Sequence, residues 1–235
     1  MNPMRASAIV VAAGLGARLG ANTAKAFVRL GDSTLLALAL RTLGGVRAIT
    51  EVVVAIPDGM ERDARREAEL AGFELPLKII AGGAERQDSV RLALQLTSAE
   101  AKLVIVHDAA RPFATIAMFN AALDKAAEVG AAIVALPLAD TLKRVDGETI
   151  RATIPRAGLW QAQTPQAFHR ELLIRAHEWA LREGVVATDD ADLVERMGAA
   201  VAIVSGSPRN FKVTTPDDLR LAEALAAVTP RTRYY

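Results

Sequence analysis

The chain has 235 residues, 51% of them apolar, enough to bury the core of one large domain and too many for a disordered chain. Its 28 Lys and Arg stand against 27 Asp and Glu, a formal charge of +1, which excludes polyanion binding over the whole surface and leaves any phosphate chemistry to a local site. The absence of cysteine excludes disulfides, thiolate zinc sites and thiol nucleophiles.

At the N-terminal end, the apolar stretch from Ala8 to Ala13 is too short to span a membrane and runs into glycines without a cleavage region. We expect a chain that starts at or near Met1 and works in the cytoplasm, with no membrane and no nucleic acid as partner. Short Val- and Ile-rich runs follow one another at Ala8 to Ala12, Glu51 to Ile56, Leu77 to Ala81, Leu103 to His107, Ala131 to Leu136 and Ala200 to Val204. They are apolar on consecutive positions, as strands buried on both faces must be. Helical spacing occupies Thr34 to Leu43, Gly59 to Ala71, Gln87 to Leu96, Ile116 to Glu128, Glu171 to Arg182 and Pro216 to Ala227. This alternation predicts an α/β fold, a mainly parallel sheet with helices on both faces. With no repeat, low-complexity tract or linker in sight, residues 1–235 read as a single domain.

One segment breaks the rhythm. From Asp140 to Ile154, "DTLKRVDGETIRATI" has two strand-like arms about Asp146-Gly147, a hairpin signal. Such a hairpin, carrying Lys143, Arg144, Glu148 and Arg151, has too little apolar surface to stand alone and should pack on something else, such as another subunit.

The loop after the first strand, "VVAAGLGARLGANTAKAF", suits close approach to an anion. It fails the dinucleotide fingerprint: after Gly14 and Gly16 the third glycine falls at Gly20, one place late, and the ribose-binding acid about 20 residues on is missing. It fails the P-loop pattern too, since no Gly-Lys pair occurs in the chain. Two readings remain. Arg18 and Lys25 fold over a triphosphate, or the loop is a tight turn with two solvated cations.

In an open α/β sheet, ligands sit outside the carboxyl ends of the strands, and the other strand ends here carry chemistry. After the third strand comes "GGAERQDSV", where Gly82 and Gly83 permit close backbone approach and Ser89 adds a hydroxyl. After the fourth comes "VHDAARPF", with Asp108 at the strand tip and Arg111 three residues on. A lone Asp there is commonly a helix cap. Opposite a phosphate loop, a Mg²⁺ ligand is the better reading, because magnesium takes one or two carboxylates plus phosphate oxygens. His107 reads as a structural hydrogen-bonding residue, and His169 and His177 lie in a helical region without a metal-like cluster. Near the C-terminus, "NFKVTTPDDL" sets Lys212 in an extended piece before a helix opened by Thr215 and Pro216.

These stretches together resemble the 2-C-methyl-D-erythritol 4-phosphate cytidylyltransferase family. The matching pieces, in family order, are "AAGLGARLG", "KAFVRLG", "GGAERQDSV", "VHDAARPF", "PLADTLKR", "QTPQAF", "TDDADLVE" and "FKVTTPDDL". The resemblance implies a Rossmann-like nucleotidyltransferase fold and transfer of CMP from CTP to methylerythritol phosphate, with release of pyrophosphate. It also implies a homodimer that exchanges a β-arm at about residues 138–160. Carried over by position, Arg18, Lys25 and Lys212 are the catalytic cations and Asp108 the metal ligand. Ala12, Ala13, Gly83 and Ser89 belong to the cytosine pocket, with Gly14 and Gly16 in the nucleotide loop. Thr141, Arg156, Thr188 and Arg111 lie near the sugar-phosphate acceptor. The chain departs from the family at Ala24, where proline usually precedes the lysine; alanine leaves that loop looser.

The chemistry this implies is in-line attack by the acceptor phosphate on the α-phosphorus of CTP. It needs positioning and charge stabilisation and no general base. The rival readings are a ribitol-phosphate cytidylyltransferase, sharing the glycine loop and the "HDA" and "TPQ" elements, and a weakly active nucleotide-binding homologue suggested by Ala24. A dehydrogenase is disfavoured by the missing ribose acid.

Overall fold

The computed structural model describes residues 4–16, 19 and 23–228. In chain order these form β1 (Ala6–Val11), a 3-10 turn at Lys25–Phe27, the short strands β2 (Arg29–Leu30) and β3 (Ser33–Thr34), α1 (Leu35–Gly44), β4 (Ile49–Ile56), α2 (Glu61–Leu70) and β5 (Leu77–Ala81). The second half continues with α3 (Arg86–Leu94), β6 (Leu103–Asp108), α4 (Ile116–Val129), β7 (Ala131–Pro137), β8 (Leu142–Asp146), β9 (Thr149–Ile154), β10 (Trp160–His169), α5 (Arg170–Glu183), α6 (Asp190–Arg196), β11 (Ala202–Ser205) and α7 (Pro216–Val228).

Among the described residues, seven strands make the central sheet in the order β11-β7-β10-β6-β1-β4-β5. All neighbours are parallel except β10, which runs antiparallel to both β6 and β7. The consecutive apolar positions divide between the two faces. Ala8 and Val10 of β1, Val52 and Val54 of β4 and Ile105 of β6 meet α1, α2 and α4 on one side. Ile9, Val53, Val104 and Val106 meet α3, α5 and α6 on the other. Period-2 alternation along a doubly covered strand requires apolar residues at every position, which is why the strands read as unbroken runs. A smaller cluster joins Leu30, Leu35 and Phe113 to Val213 and Ala222 of α7.

The expected strands and helices are all present, with ends moved by a few residues. Three pieces went unread: the β2–β3 ribbon, α6 and β10. Within β10, "WQAQTPQAFH" carries Pro165 and three glutamines, and its pairing with β7 breaks register between Ala162 and Gln166. A strand with a proline and an interrupted ladder shows neither alternation nor an apolar run. His169 ends this strand and caps α5, so it is not helical, whereas His177 lies inside α5.

The hairpin forms as β8 and β9, paired with each other and with no strand of the main sheet. Its turn is one residue later than expected: Asp146 pairs with Thr149, leaving Gly147 and Glu148 at the tip. Gly147, at φ +57°, supplies the positive torsion that the first position of a type II′ turn demands. Val145 and Ile150 face each other across the ribbon and both stand in solvent, 58% and 59% exposed. No helix among the described residues is long and apolar enough to cross a membrane.

Candidate active site

β1 lies between β4 and β6, so the chain builds the sheet outward from it in both directions. A crevice opens beyond the carboxyl ends of strands at such a reversal. Here it is a cleft of about 440 Å³ lined by Ala12 to Gly16 after β1, Gly83 to Arg86 and Ser89 after β5, Asp108 to Ala110 after β6, and Lys25, Lys212 and Thr214.

The glycine loop folds back on the segment carrying Lys25, whose N–H donates to the Gly14 carbonyl at 3.2 Å. Gly16 has φ +72°, and a Cβ there would lie 3.0 Å from the Lys25 Cβ, so the loop closes this tightly only with glycine. The Lys25 ammonium reaches the Thr214 hydroxyl at 3.5 Å. Gly82 and Gly83 are equally constrained: a Cβ would stand 2.4 Å from Ala13 Cβ at the first and 2.3 Å from Asp88 Cβ at the second. Ser89 is buried; its hydroxyl accepts from Gly83 N–H at 3.1 Å and donates to the Glu85 carbonyl at 3.2 Å, stapling the loop to α3.

Asp108 sits at the centre. Arg86 Nε is 3.1 Å from its Oδ1 and Lys212 Nζ 2.7 Å from its Oδ2. Burial pushes this carboxyl up, but Arg86, Lys212 and Arg111 together hold it well below the usual carboxylate range. Arg86 also gives Nη1 to Asp190 Oδ2 at 2.7 Å, and Asp190, almost fully buried, meets His177 Nε2 at 3.1 Å through its other oxygen. Burial opposes the charge of Arg86, and its two carboxylates outweigh that and hold its pKa above the ordinary arginine value.

β10 ties this cluster together. Thr164 Oγ1 accepts the Asp108 N–H at 3.1 Å and lies 3.0 Å from His107 Nδ1, so His107 has the structural hydrogen bond expected of it. Gln166 donates to Asp189 at 2.8 Å, and Gln163 donates to the Ser207 carbonyl at 3.0 Å. Fully buried Asn210 gives its amide to Gln163 Oε1 and the Thr164 carbonyl at 3.1 and 2.9 Å. Val213 N–H donates to the Ala110 carbonyl at 2.8 Å. The loop carrying Lys212 is therefore pinned on both sides of the lysine.

The structure gathers Ala12, Ala13, Gly14, Gly16, Lys25, Gly83, Ser89, Asp108 and Lys212 into the cleft. Arg18 lies outside the described residues. Arg111 does not line the cleft: it donates to the carbonyls of Asn210 at 2.8 Å and Ala162 at 3.4 Å, holding the Lys212 loop. Thr141 and Arg156 are exposed at the foot of the hairpin, where Arg156 Nη1 donates to the Ala139 carbonyl, and Thr188 is exposed just before the N-cap of α6. None of these three lines the cleft. Arg86 and Asp190 were missed by sequence reasoning, because Arg86 reads as one charge in a loop motif and Asp190 as one acid at a helix start, and His177 was weighed only as a metal ligand and set aside.

A divalent cation at Asp108 would have that one carboxylate as protein ligand and would displace Lys212 from Oδ2. No three His, Cys, Asp or Glu side chains are placed to hold a metal ion together among the described residues. This donor set fits magnesium that arrives already bound to a triphosphate.

A parallel sheet whose strand ends surround one carboxylate with a glycine loop and fixed cations handles phosphoryl groups; with the antiparallel β10, this is the architecture of a Rossmann-like nucleotidyltransferase. Residues 6–227 match the family model of 2-C-methyl-D-erythritol 4-phosphate cytidylyltransferase. The curated enzyme of that name from Deinococcus radiodurans is 48% identical over 221 residues, covering 94% of this chain and 89% of its own. The one from Halalkalibacterium halodurans is 42% identical over 231 residues, covering 97% and 100%. The crystal structure of the Thermus thermophilus enzyme superposes with a TM-score of 0.81 at 40% identity, covering 96% of this chain and 100% of that one. The chain belongs to the 2-C-methyl-D-erythritol 4-phosphate cytidylyltransferase family, which are CTP-dependent nucleotidyltransferases.

Proposed function

We propose that the cleft transfers CMP from CTP to 2-C-methyl-D-erythritol 4-phosphate in the cytoplasm, with neither a membrane nor a nucleic acid taking part. The observation that carries this reading is the meeting of the glycine loop, Lys25 and Lys212 around Asp108 at one end of the sheet. An oxygen of the acceptor phosphate forms a bond to the α-phosphorus of CTP as the bond from that phosphorus to the β-phosphate bridge breaks, and pyrophosphate leaves opposite. A phosphate monoester is ionised near neutral pH, so no proton need be removed from the nucleophile.

Lys25, Lys212 and Arg18 offset the charge that grows on the α-phosphate, and backbone groups of Ala12 to Gly16 cradle the polyphosphate. Asp108 would hold magnesium carried by CTP, and the bound ion would supply neutralisation of phosphate charge. Gly83, Ala13 and Ser89 frame the base, and Arg111 keeps the Lys212 loop beside the acceptor. Thr141 and Arg156 belong, in this reading, to the site of a second copy, reached through the β8–β9 arm in a homodimer; Thr188 approaches the acceptor from its own chain.

Pyrophosphate release with CTP, magnesium and a panel of erythritol and pentitol phosphates tests the assignment. Turnover with methylerythritol phosphate well above the others is expected. Preference for ribitol phosphate would move the protein to the rival reading.

A further inference from the structure

From the cleft wall a buried ionic chain runs inward, and the proposed reaction gives no role to its members Arg86, Asp190 and His177. His177, Asp190, Arg86 and Asp108 follow in succession, from α5 through the N-terminal turn of α6 to the first residue of α3 and the tip of β6. It meets the substrate cleft at Arg86 and Asp108, and Asp108 is shared by two cations of unequal character. Arg86 is held by a planar fork between two carboxylates and is mostly buried. Lys212 is a flexible side chain, 40% exposed, on an irregular loop facing the cleft.

The charge of Lys212 is directed at Asp108, 2.7 Å away, so it must leave that carboxylate to serve a nucleotide. Removing the sole partner of a buried carboxylate is strongly unfavourable. Asp108 does not lose its sole partner, because Arg86 stays on the opposite oxygen, itself fixed from behind by Asp190. We infer that Arg86 is a positioning residue, which keeps the Asp108 carboxylate compensated and in place while Lys212 moves from it to the polyphosphate. This inference rests on the nucleotidyl-transfer reading. Without Arg86, Lys212 is the one cation among the described residues at contact distance from Asp108, and it leaves that carboxylate less readily even when a nucleotide brings its own magnesium. The loss of Arg86 then resembles the loss of Lys212, although the two cations hold opposite oxygens of Asp108.

The test compares Arg86→Met, Arg86→Lys, Lys212→Ala and the Arg86→Met/Lys212→Ala double variant, once wild-type turnover is established by pyrophosphate release. Failure of the wild type to turn over rejects the function itself and is thus distinct from failure of this inference. Arg86→Met should lose about 10²-fold in kcat, close to Lys212→Ala, while its CTP dissociation constant by calorimetry changes by no more than about threefold. Arg86→Lys, which restores one charge without the fork, should recover activity to within about tenfold of wild type. The double variant should be no slower than the slower single one, because both act through the same ammonium. A purely structural ion pair gives the other pattern: the two losses multiply, and CTP binding falls with the unfolding midpoint. That result, or near-normal kcat in Arg86→Met, overturns the inference. Should Arg86→Met fail to fold, Arg86→Lys alone and with Lys212→Ala decides the same question by the same non-additivity.

Discussion

Ala24, the residue at which the chain departs from its family, has φ −60° and ψ 144° and stands at the N-cap of the Lys25–Phe27 turn. Proline fixes φ near −65°, so the backbone is already shaped for it. Ala24→Pro should stabilise the ordered lysine loop by about 0.4 to 1 kcal/mol by restricting the unfolded chain. The expected readout is a small rise in the unfolding midpoint and a CTP dissociation constant lowered by about twofold. Weaker CTP binding would mean that the nearly buried site cannot take the ring. His107 permits a second test at this scale. Burial pushes its pKa down from 6.5 to about 4, with Asp108 opposing and Arg111 and Arg86 assisting. The folded value lies below the unfolded one, so the unfolded chain takes the proton first. Stability is then intact above about pH 6.5 and falls toward pH 4, by about 3 kcal/mol for this group. Denaturant titrations at pH 7 and pH 4 should show His107→Gln losing about 3 kcal/mol less than the wild type; equal losses would reject the assignment. Lys25, Asp108 and Lys212 were legible in the sequence because each stands just past a strand or before a helix, where chemistry gathers. Arg86 and Asp190 were not, since their pairing spans 104 positions and neither residue type carries a signal of it.

Among the elements, the β8–β9 arm is the one whose sequence and structure agree that something is missing. Leu142, Val145 and Ile150 are exposed along it, Leu159 and Trp160 just beyond, and a two-stranded ribbon is marginal by itself. If a second copy covers it, Val145→Asp with Ile150→Asp should shift sedimentation from dimer to monomer while the circular dichroism of the remaining fold is unchanged. A double variant that stays dimeric would place the interface elsewhere. The parallel strands were legible because burial on both faces leaves an apolar run in the text. β10 was not: it holds the middle of the sheet through its ladder with β6 and through Thr164, Gln163 and Gln166, and those polar residues hide its strand character.

At the scale of the whole molecule, the proposed dimer divides one active site between two chains, with Lys25 in one and Arg156 reaching in from the other. Lys25→Ala and Arg156→Ala would each be nearly inactive alone. Coexpressed, half the dimers are mixed and each of those has one intact site of two, so about a quarter of wild-type sites should return. Activity no higher than the mean of the two variants, with mixed dimers present, would show that Arg156 acts within its own chain or not at all. What the sequence by itself determined is local in origin: strand and helix periodicity, the tight turns demanded by glycine, and the residue types at the strand ends. These settle the α/β class and, through the ordered motifs, the family. What only the tertiary structure decided is which charges face one another. Asp108, Arg86, Asp190 and Lys212 come from separate stretches that meet only when α3, β6, α6 and the loop before α7 converge at one end of the sheet. An ion pair depends on which distant charges come within a few ångströms of one another in a buried place, and periodicity along a chain does not encode that pairing.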